Sequence, residues 1–257
     1  MTLITVLLGV AVGLDPLRVA LLGLTMAFTQ LSVGLSNDWL DAARDRDAGR
    51  RDKPVARGEI AVSAVRTAAL TSAGLGVLAS LTLGIPFAIV HLVALGGGWA
   101  YNAWFKHRPL SPVPYLVSFG LLPMLATLAL PVPALAAWWA VLAGSLLGIA
   151  AHVANVLPDL ADDAATGVRG LPHRLGRVGS TLLGGLSLSG AAIALTLGIG
   201  LDSPVALFGF GLSLAASVAA VVFTLRENRW GFRFVIVAAL IDVVLLVLAG
   251  NQMVVAL

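Results

Sequence analysis

Long apolar stretches, broken at intervals by short polar segments, run the whole length of the chain. Eight are of spanning length: Leu17 to Ser36, Val62 to Leu83, Ile85 to Phe105, Val113 to Leu130, Ala134 to Val156, Val178 to Gly200, Pro204 to Leu225 and Phe232 to Val255. A helix rises 1.5 Å per residue, so about 20 residues cross about 30 Å of hydrocarbon, and each stretch predicts a transmembrane helix. A ninth, Thr2 to Leu14, is too short to cross alone. It lacks the basic segment and small-residue cleavage site of a signal peptide, so it reads as a first helix that is partly interfacial or whose start is missing. The expectation is an all-α, polytopic membrane bundle of about nine helices.

Charge orients the bundle. Arg44, Arg46, Arg50, Arg51, Lys53 and Arg57 fall in one loop, Lys106 and Arg108 in a second, Arg169, Arg174 and Arg177 in a third, and Arg226, Arg229 and Arg233 in a fourth. These loops hold fourteen of the sixteen basic residues and alternate with short connections that hold almost none. Basic loops stay inside, so the four are predicted to face the cytoplasm, with the N-terminus inside and the C-terminus outside a cell inner or plasma membrane.

The polar positions repeat. A shift of 118 residues places Asn37 on Asn155, Asp41 on Asp159, Asp45 on Asp163, Gly49 on Gly167, Arg51 on Arg169, Pro54 on Pro172 and Gly58 on Gly176. Four spans separate the copies, an even number, so both enter their loops from the same side: a parallel pseudo-repeat around a central cavity.

Composition sharpens this reading. With 257 residues, 59% hydrophobic and 11% charged, the chain suits one membrane domain over residues 1–257. The pI near 9.9 arises from basic loops between apolar spans, which argues against nucleic acid as a partner and for membrane lipid. The sequence contains no cysteine, which removes thiolate metal sites and cysteine nucleophiles.

Asn, Asp and Asp recur in each copy at intervals of four, so a helix continuing past the membrane boundary stacks them on one face. That face is a ladder of hard oxygen ligands suited to Mg²⁺, which takes one or two carboxylates together with water and phosphate oxygens. Asp38, Asp47 and Asp162 lie beside the ladders as further candidates. Capping and loop solvation could account for single acids, but not for the duplication. A carboxylate drawn to the bilayer centre costs about 2.5 to 3.5 kcal/mol, so clustered acids imply a cation that holds them. Arg51, Lys53, Arg57, Arg169 and Arg174 follow the acids and could clamp phosphate oxygens, although topology alone also explains any one of them. Lys53 and Arg169 stand out because each is tied to the Gly and Pro positions of its copy.

These residues carry a resemblance. Asn37 to Asp45, followed by Lys53-Pro54 and Gly58, resembles the first signature of the UbiA superfamily of membrane prenyltransferases, and Asn155 to Asp163, followed by Gly167, Pro172 and Gly176, resembles the second. Tyr101 with Lys106 resembles a further Tyr and Lys element at a different spacing. The resemblance implies a Mg²⁺-dependent transferase that ionises a prenyl diphosphate and passes the prenyl group to an aromatic or other small acceptor, or to a lipid. It implies metal ligands at Asp38, Asp41, Asp45, Asp159 and Asp163. The diphosphate would be held by Asn37, Arg51, Lys53, Arg57, Lys106, Asn155, Arg169 and Arg174, and the catalytic group would comprise Asp41, Asp45, Asp159, Asp163, Lys53, Tyr101 and Lys106. Trp39, Trp99, Tyr101, Trp104 and Phe119 could stabilise an allylic cation, although most such aromatics are packing or interface anchors.

Other polar residues within the spans read more plainly. His91 and His152 are expected to be hydrogen-bonded between helices, Asp242 to pair within the bundle or sit in a wet crevice, and Gly96-Gly97-Gly98 to allow close helix approach. The rival readings are a terpene cyclase on the same scaffold, a cation transporter and a CDP-alcohol phosphotransferase. Acids at loop boundaries rather than at the midplane argue against the second, and two separated ladders against the third. The cyclase shares the same motifs.

Overall fold

The structure, a computed structural model, describes residues 1–50, 53–160, 167–226, 228 and 230–256. Nine α-helices appear among them: α1 (Thr2–Ala11), α2 (Pro16–Asp47), α3 (Val62–Leu81), α4 (Ile85–Ala103), α5 (Val113–Leu128), α6 (Trp138–Val156), α7 (Leu171–Ile199), α8 (Pro204–Leu225) and α9 (Trp230–Leu248). Six are long and apolar enough to cross a membrane: α2, α3, α6 extended to Asp159, α7, α8 and α9. Eight such stretches were expected. The difference lies in α4, whose 19 residues include His91, Tyr101 and Asn102, and in α5, whose 16 residues span only about 24 Å. The short first helix is present as α1, 10 residues long.

The last predicted span does not reach Val255. Helix α9 ends at Leu248, a 3₁₀ turn follows over Gly250–Met253, and Gly250 takes a positive φ of 49°. Val254–Val255 (β2) then pairs antiparallel with Leu135–Ala136 (β1), which delays the start of α6 to Trp138. The chain end therefore satisfies its backbone groups in a two-residue ladder rather than in a helix.

Helix neighbours trace a ring. Consecutive helices from α2 to α9 pack against one another, and α1 touches α2, α5 and α9, closing the gap between first and last. The repeat extends through the whole ring: adding 118 to the bounds of α3, α4 and α5 gives 180–199, 203–221 and 231–246, which fall on α7, α8 and α9. It reaches the backbone torsions as well. Gly49 and Gly167 have φ of 65° and 84°, and Gly58 and Gly176 have φ of 78° and 68°. Only glycine adopts this left-handed region without strain, so both copies turn out of the motif by the same two hinges. At Gly176 the hinge kinks α7 internally.

Small residues set the close approaches. A Cβ on Gly148 would run into the Tyr115 carbonyl, and one on Gly144 would lie 2.7 Å from the Phe119 carbonyl, so α5 and α6 meet backbone to backbone. In the triple glycine, a Cβ on Gly97 would lie 2.8 Å from Ser118 Oγ and one on Gly98 2.7 Å from Val33, while Gly96 faces open space. Close approach thus explains two of the three.

Candidate active site

Helix α2 starts at Asp15, whose carboxylate caps it by accepting from the Leu17 and Arg18 amides, and continues for 32 residues. That is about 48 Å, well beyond the hydrocarbon thickness. Asn37 lies about 33 Å along it, and Asp41 and Asp45 a further one and two turns on. The helix is therefore long enough to carry Asn37, Asp41 and Asp45 on one unbroken face beyond the length that crosses hydrocarbon.

Asp41 and Asp45 are 6% and 3% exposed, and each is wrapped in positive charge. Lys106 Nζ donates to Asp41 Oδ1, and Arg44 Nη2 donates to Asp41 Oδ2 at 2.8 Å while lying 3.4 Å from Asp45 Oδ1. Lys53 Nζ lies 2.8 Å from Asp45 Oδ2 and 3.1 Å from Asp38 Oδ1. Asp38, Lys53, Asp45, Arg44, Asp41 and Lys106 form one chain of alternating charge. Burial pulls the Lys53 ammonium down, but hydrogen bonds and charge from Asp45 and Asp38 outweigh it and leave its pKa raised. For Lys106, 7% exposed, burial dominates over the Asp41 pairing and lowers the pKa. His107 next to it is lowered by burial and by the charges of Lys106 and Arg44.

The second copy is built differently. Helix α6 gives way to a 3₁₀ turn over Leu157–Asp159, where Pro158 lacks the amide that an α-helix would use, so the expected straight stack tightens after Asn155. Asp159 is exposed, as are Arg169 and Arg174. Arg51, Asp162 and Asp163 lie outside the described residues. The asymmetry has a sequence cause that the seven matched positions conceal. The same shift places Arg44 on Asp162, Lys53 on Leu171 and Lys106 on Thr224, so the second copy has none of the three bases that bury the first copy's acids. Arg57 sits on the surface, 2.6 Å from Glu59.

Two contacts bring the copies together. The loop after the second motif packs on the loop carrying Lys106: a Cβ on Gly170 would lie 3.0 Å from the Lys106 carbonyl, and the Leu171 amide donates to Ser111 Oγ at 3.0 Å. Ser111 Oγ also bonds His152 Nε2 of α6 at 3.0 Å. The bundle encloses a cavity of about 490 Å³, lined by Asn37 of the first copy and Asn155 of the second, by Gln30, Val33 and Gly34 of α2, by Tyr101 and Asn102 of α4, and by Tyr115, Ser118 and Phe119 of α5. The leading asparagines of both copies thus open onto one chamber.

Of the five aromatics expected around the chamber, Tyr101 and Phe119 line it and the three tryptophans do not. Trp39 and Trp99 pack edge to face with centroids 6.1 Å apart, and Trp104 lies under the Arg108 guanidinium at 4.1 Å, on the surface. Tyr115 takes their place, 5.0 Å from Tyr101 and stacked on Phe119 at 6.2 Å. Its i, i+4 spacing from Phe119 was the available signal. His91 bonds Thr29 at 2.6 Å and so joins α4 to α2 as expected, whereas His152 ties α6 to Ser111 in the loop before α5 rather than to another helix. Asp242 is fully buried in α9, remote from the ladders in sequence and absent from the chamber lining.

The sequence profile of the UbiA prenyltransferase family matches residues 1–241. The chain belongs to that family. No curated protein sequence matches it. Solved structures do match in fold: the apo structure of a UbiA homolog from Aeropyrum pernix K1 (14% identity, 94% of each chain covered, TM-score 0.75), a digeranylgeranylglyceryl phosphate synthase (17% identity, 98% of this chain and 92% of that one, TM-score 0.71), and a UbiA homolog from Archaeoglobus fulgidus bound to GPP and Mg²⁺ (15% identity, 96% and 88%, TM-score 0.62). At these identities the likeness is one of fold. Family membership and the apolar helices together make this UbiA protein an integral membrane protein of the prenyltransferase type.

The donor set fits magnesium: it consists of carboxylate and amide oxygens and contains no sulfur. Among the described residues no three acidic or histidine side chains converge tightly enough to hold an ion by themselves.

Proposed function

We propose that this UbiA-family chain is an intramembrane, Mg²⁺-dependent prenyltransferase that ionises a prenyl diphosphate at the chamber mouth and passes the prenyl group to a small or lipid acceptor held below. The observation that carries the reading is the convergence of Asn37 and Asn155 on one cavity with Tyr101, beneath the buried pair of Asp41 and Lys106. A relative of the same fold bound to GPP and Mg²⁺ supports it.

Asp38, Asp41 and Asp45 on one side and Asp159 and Asp163 on the other would hold Mg²⁺. Bound there, the ion neutralises charge that builds on the departing diphosphate. The diphosphate would be held by Lys53 and Lys106, by the Asn37 and Asn155 amides and by Arg51, Arg57, Arg169 and Arg174 from the loops. The C1–O bond breaks and its electron pair leaves with the diphosphate. The allylic cation faces the rings of Tyr101, Tyr115 and Phe119. A nucleophilic atom of the acceptor bonds to C1, and the acceptor's displaced proton goes to solvent. The chamber walls keep water from the cation. The basic loops, and so the diphosphate, face the cytoplasm in this reading.

The test is Mg²⁺-dependent consumption of a prenyl diphosphate by purified protein. Asp41→Asn and Asp159→Asn are each expected to reduce it at least 100-fold while the protein stays folded in detergent. Near-normal turnover in either variant refutes the assignment.

A further inference from the structure

Ser111 is fully buried in the loop between α4 and α5, a few residues beyond Lys106, and its hydroxyl joins three segments. It accepts the Leu171 amide at the start of α7 and lies 3.0 Å from His152 Nε2 of α6. A hydroxyl that accepts one hydrogen has its own to give, and among the described residues His152 Nε2 is the acceptor it meets. His152 is itself 1% exposed, its ring packed against those of Tyr101 and Tyr115 with centroids 5.6 and 5.0 Å away. That packing fixes the ring. Further contacts run along the same seam: the Gly167 backbone is a hydrogen-bond partner of the His107 ring, and a Cβ on Gly170 would lie 2.7 Å from Ser111 Oγ.

These contacts set where Lys106 stands. Its ammonium, 7% exposed, reaches Asp41 of the first motif, while Ser111 in the same loop is tied to α6, which carries Asn155 of the second motif, and to Leu171, which follows that motif. One hydroxyl therefore registers the first motif's base to the second motif. The repeat places Gly34 at the position of His152, so the first copy has no ring to form the equivalent bond. Without Ser111 Oγ, a buried amide and a buried ring nitrogen would both lose their partner, which is costly enough to hold the link firmly. We infer that Ser111 and His152 are positioning residues: they hold the loop of Lys106 against the second motif, so that a diphosphate bound across both motifs meets the Lys106 ammonium already in place. This inference rests on the prenyl-transfer reading above. Such placement matters, because a misplacement of about 1 Å can cost about 100-fold.

Calorimetric binding of geranyl diphosphate with Mg²⁺ to the full chain in detergent tests it, and needs no acceptor. Ser111→Ala is expected to raise the Kd about tenfold, the scale of one hydrogen bond. His152→Leu should do the same, whereas His152→Gln, whose side-chain carbonyl can accept from Ser111, stays within threefold of wild type. That rescue separates the bond from the volume, and the two His152 variants carry the test should Ser111→Ala lower the folded yield. Because the link acts through Lys106, adding Ser111→Ala to Lys106→Met weakens binding by no more than a further twofold, where a merely structural role would add its full effect. A Kd for Ser111→Ala within twofold of wild type, no rescue by glutamine, or the full tenfold loss on top of Lys106→Met overturns the inference. Wild-type protein that does not bind geranyl diphosphate at all overturns the underlying reading instead.

Discussion

Removing Lys106 alone tests whether its ammonium and a divalent ion serve the same carboxylate. A pair at hydrogen-bond distance gains about 6 kcal/mol of attraction at an effective dielectric of 20. Taking both charges out of water costs several kcal/mol each, so the intact pair nets little. Lys106→Met breaks it from one side and leaves Asp41, 6% exposed, with Arg44 as its remaining partner. Breaking a buried pair costs about 3–5 kcal/mol, and the retained arginine favours the lower figure. At about 2–4 °C per kcal/mol for a chain of this size, the melting temperature in detergent with EDTA should fall about 6–12 °C. Excess Mg²⁺ supplies the missing charge to Asp41 and should recover about 2 kcal/mol more in the variant than in the wild type. Such a recovery needs free metal at about 30 times its dissociation constant. Thermal unfolding of both proteins, with and without metal, reads this directly. A loss under about 1 kcal/mol, or one that Mg²⁺ leaves unchanged, refutes the reasoning.

Other outcomes follow from the same geometry. Burial lowers the Lys106 pKa from 10.5, so activity should fall on the alkaline side earlier than for an ordinary lysine; Lys106→Arg, still charged above pH 12, moves that limb upward in a pH–rate profile. Lys53 behaves oppositely: its raised pKa means that its ion pairs contribute stability fully present below 10.5 and lost only as pH rises through the higher folded value, which alkaline melting of Lys53→Met against wild type would show. Gly58→Ala and Gly176→Ala each force a left-handed torsion on a side chain and should cost about 1–2 kcal/mol by the same melts. Gly148→Leu drives a side chain into the Tyr115 carbonyl and should separate α5 from α6, with loss of folded yield.

Much of this was legible in the chain because lipid imposes simple rules. Apolar runs and basic loops marked the helices, and the shift of 118 residues marked both motifs, down to the glycines that hinge them. Long-range pairing was not legible. Nothing local tells that Lys106 reaches Asp41, 65 residues away, or that the first acids are buried and Asp159 exposed. That contrast follows from Arg44, Lys53 and Lys106 having Asp162, Leu171 and Thr224 as their counterparts, a difference visible in the sequence only once the tertiary pairing shows which bases matter. Pro158 was readable as a helix breaker, yet the i, i+4 spacing of Asn155 and Asp159 concealed it. Tyr115 and Gln30 looked like ordinary positions in apolar helices, since facing a cavity is a property of the packed ring rather than of either helix.

The chain has no cysteine of its own, so a pair introduced as Asn37→Cys and Asn155→Cys reports on one distance alone. A short bifunctional thiol reagent should cross-link them efficiently in membranes, and geranyl diphosphate with Mg²⁺ together, but neither alone, should block the reaction. No cross-link, or a cross-link indifferent to diphosphate and metal, would contradict two motifs sharing one chamber.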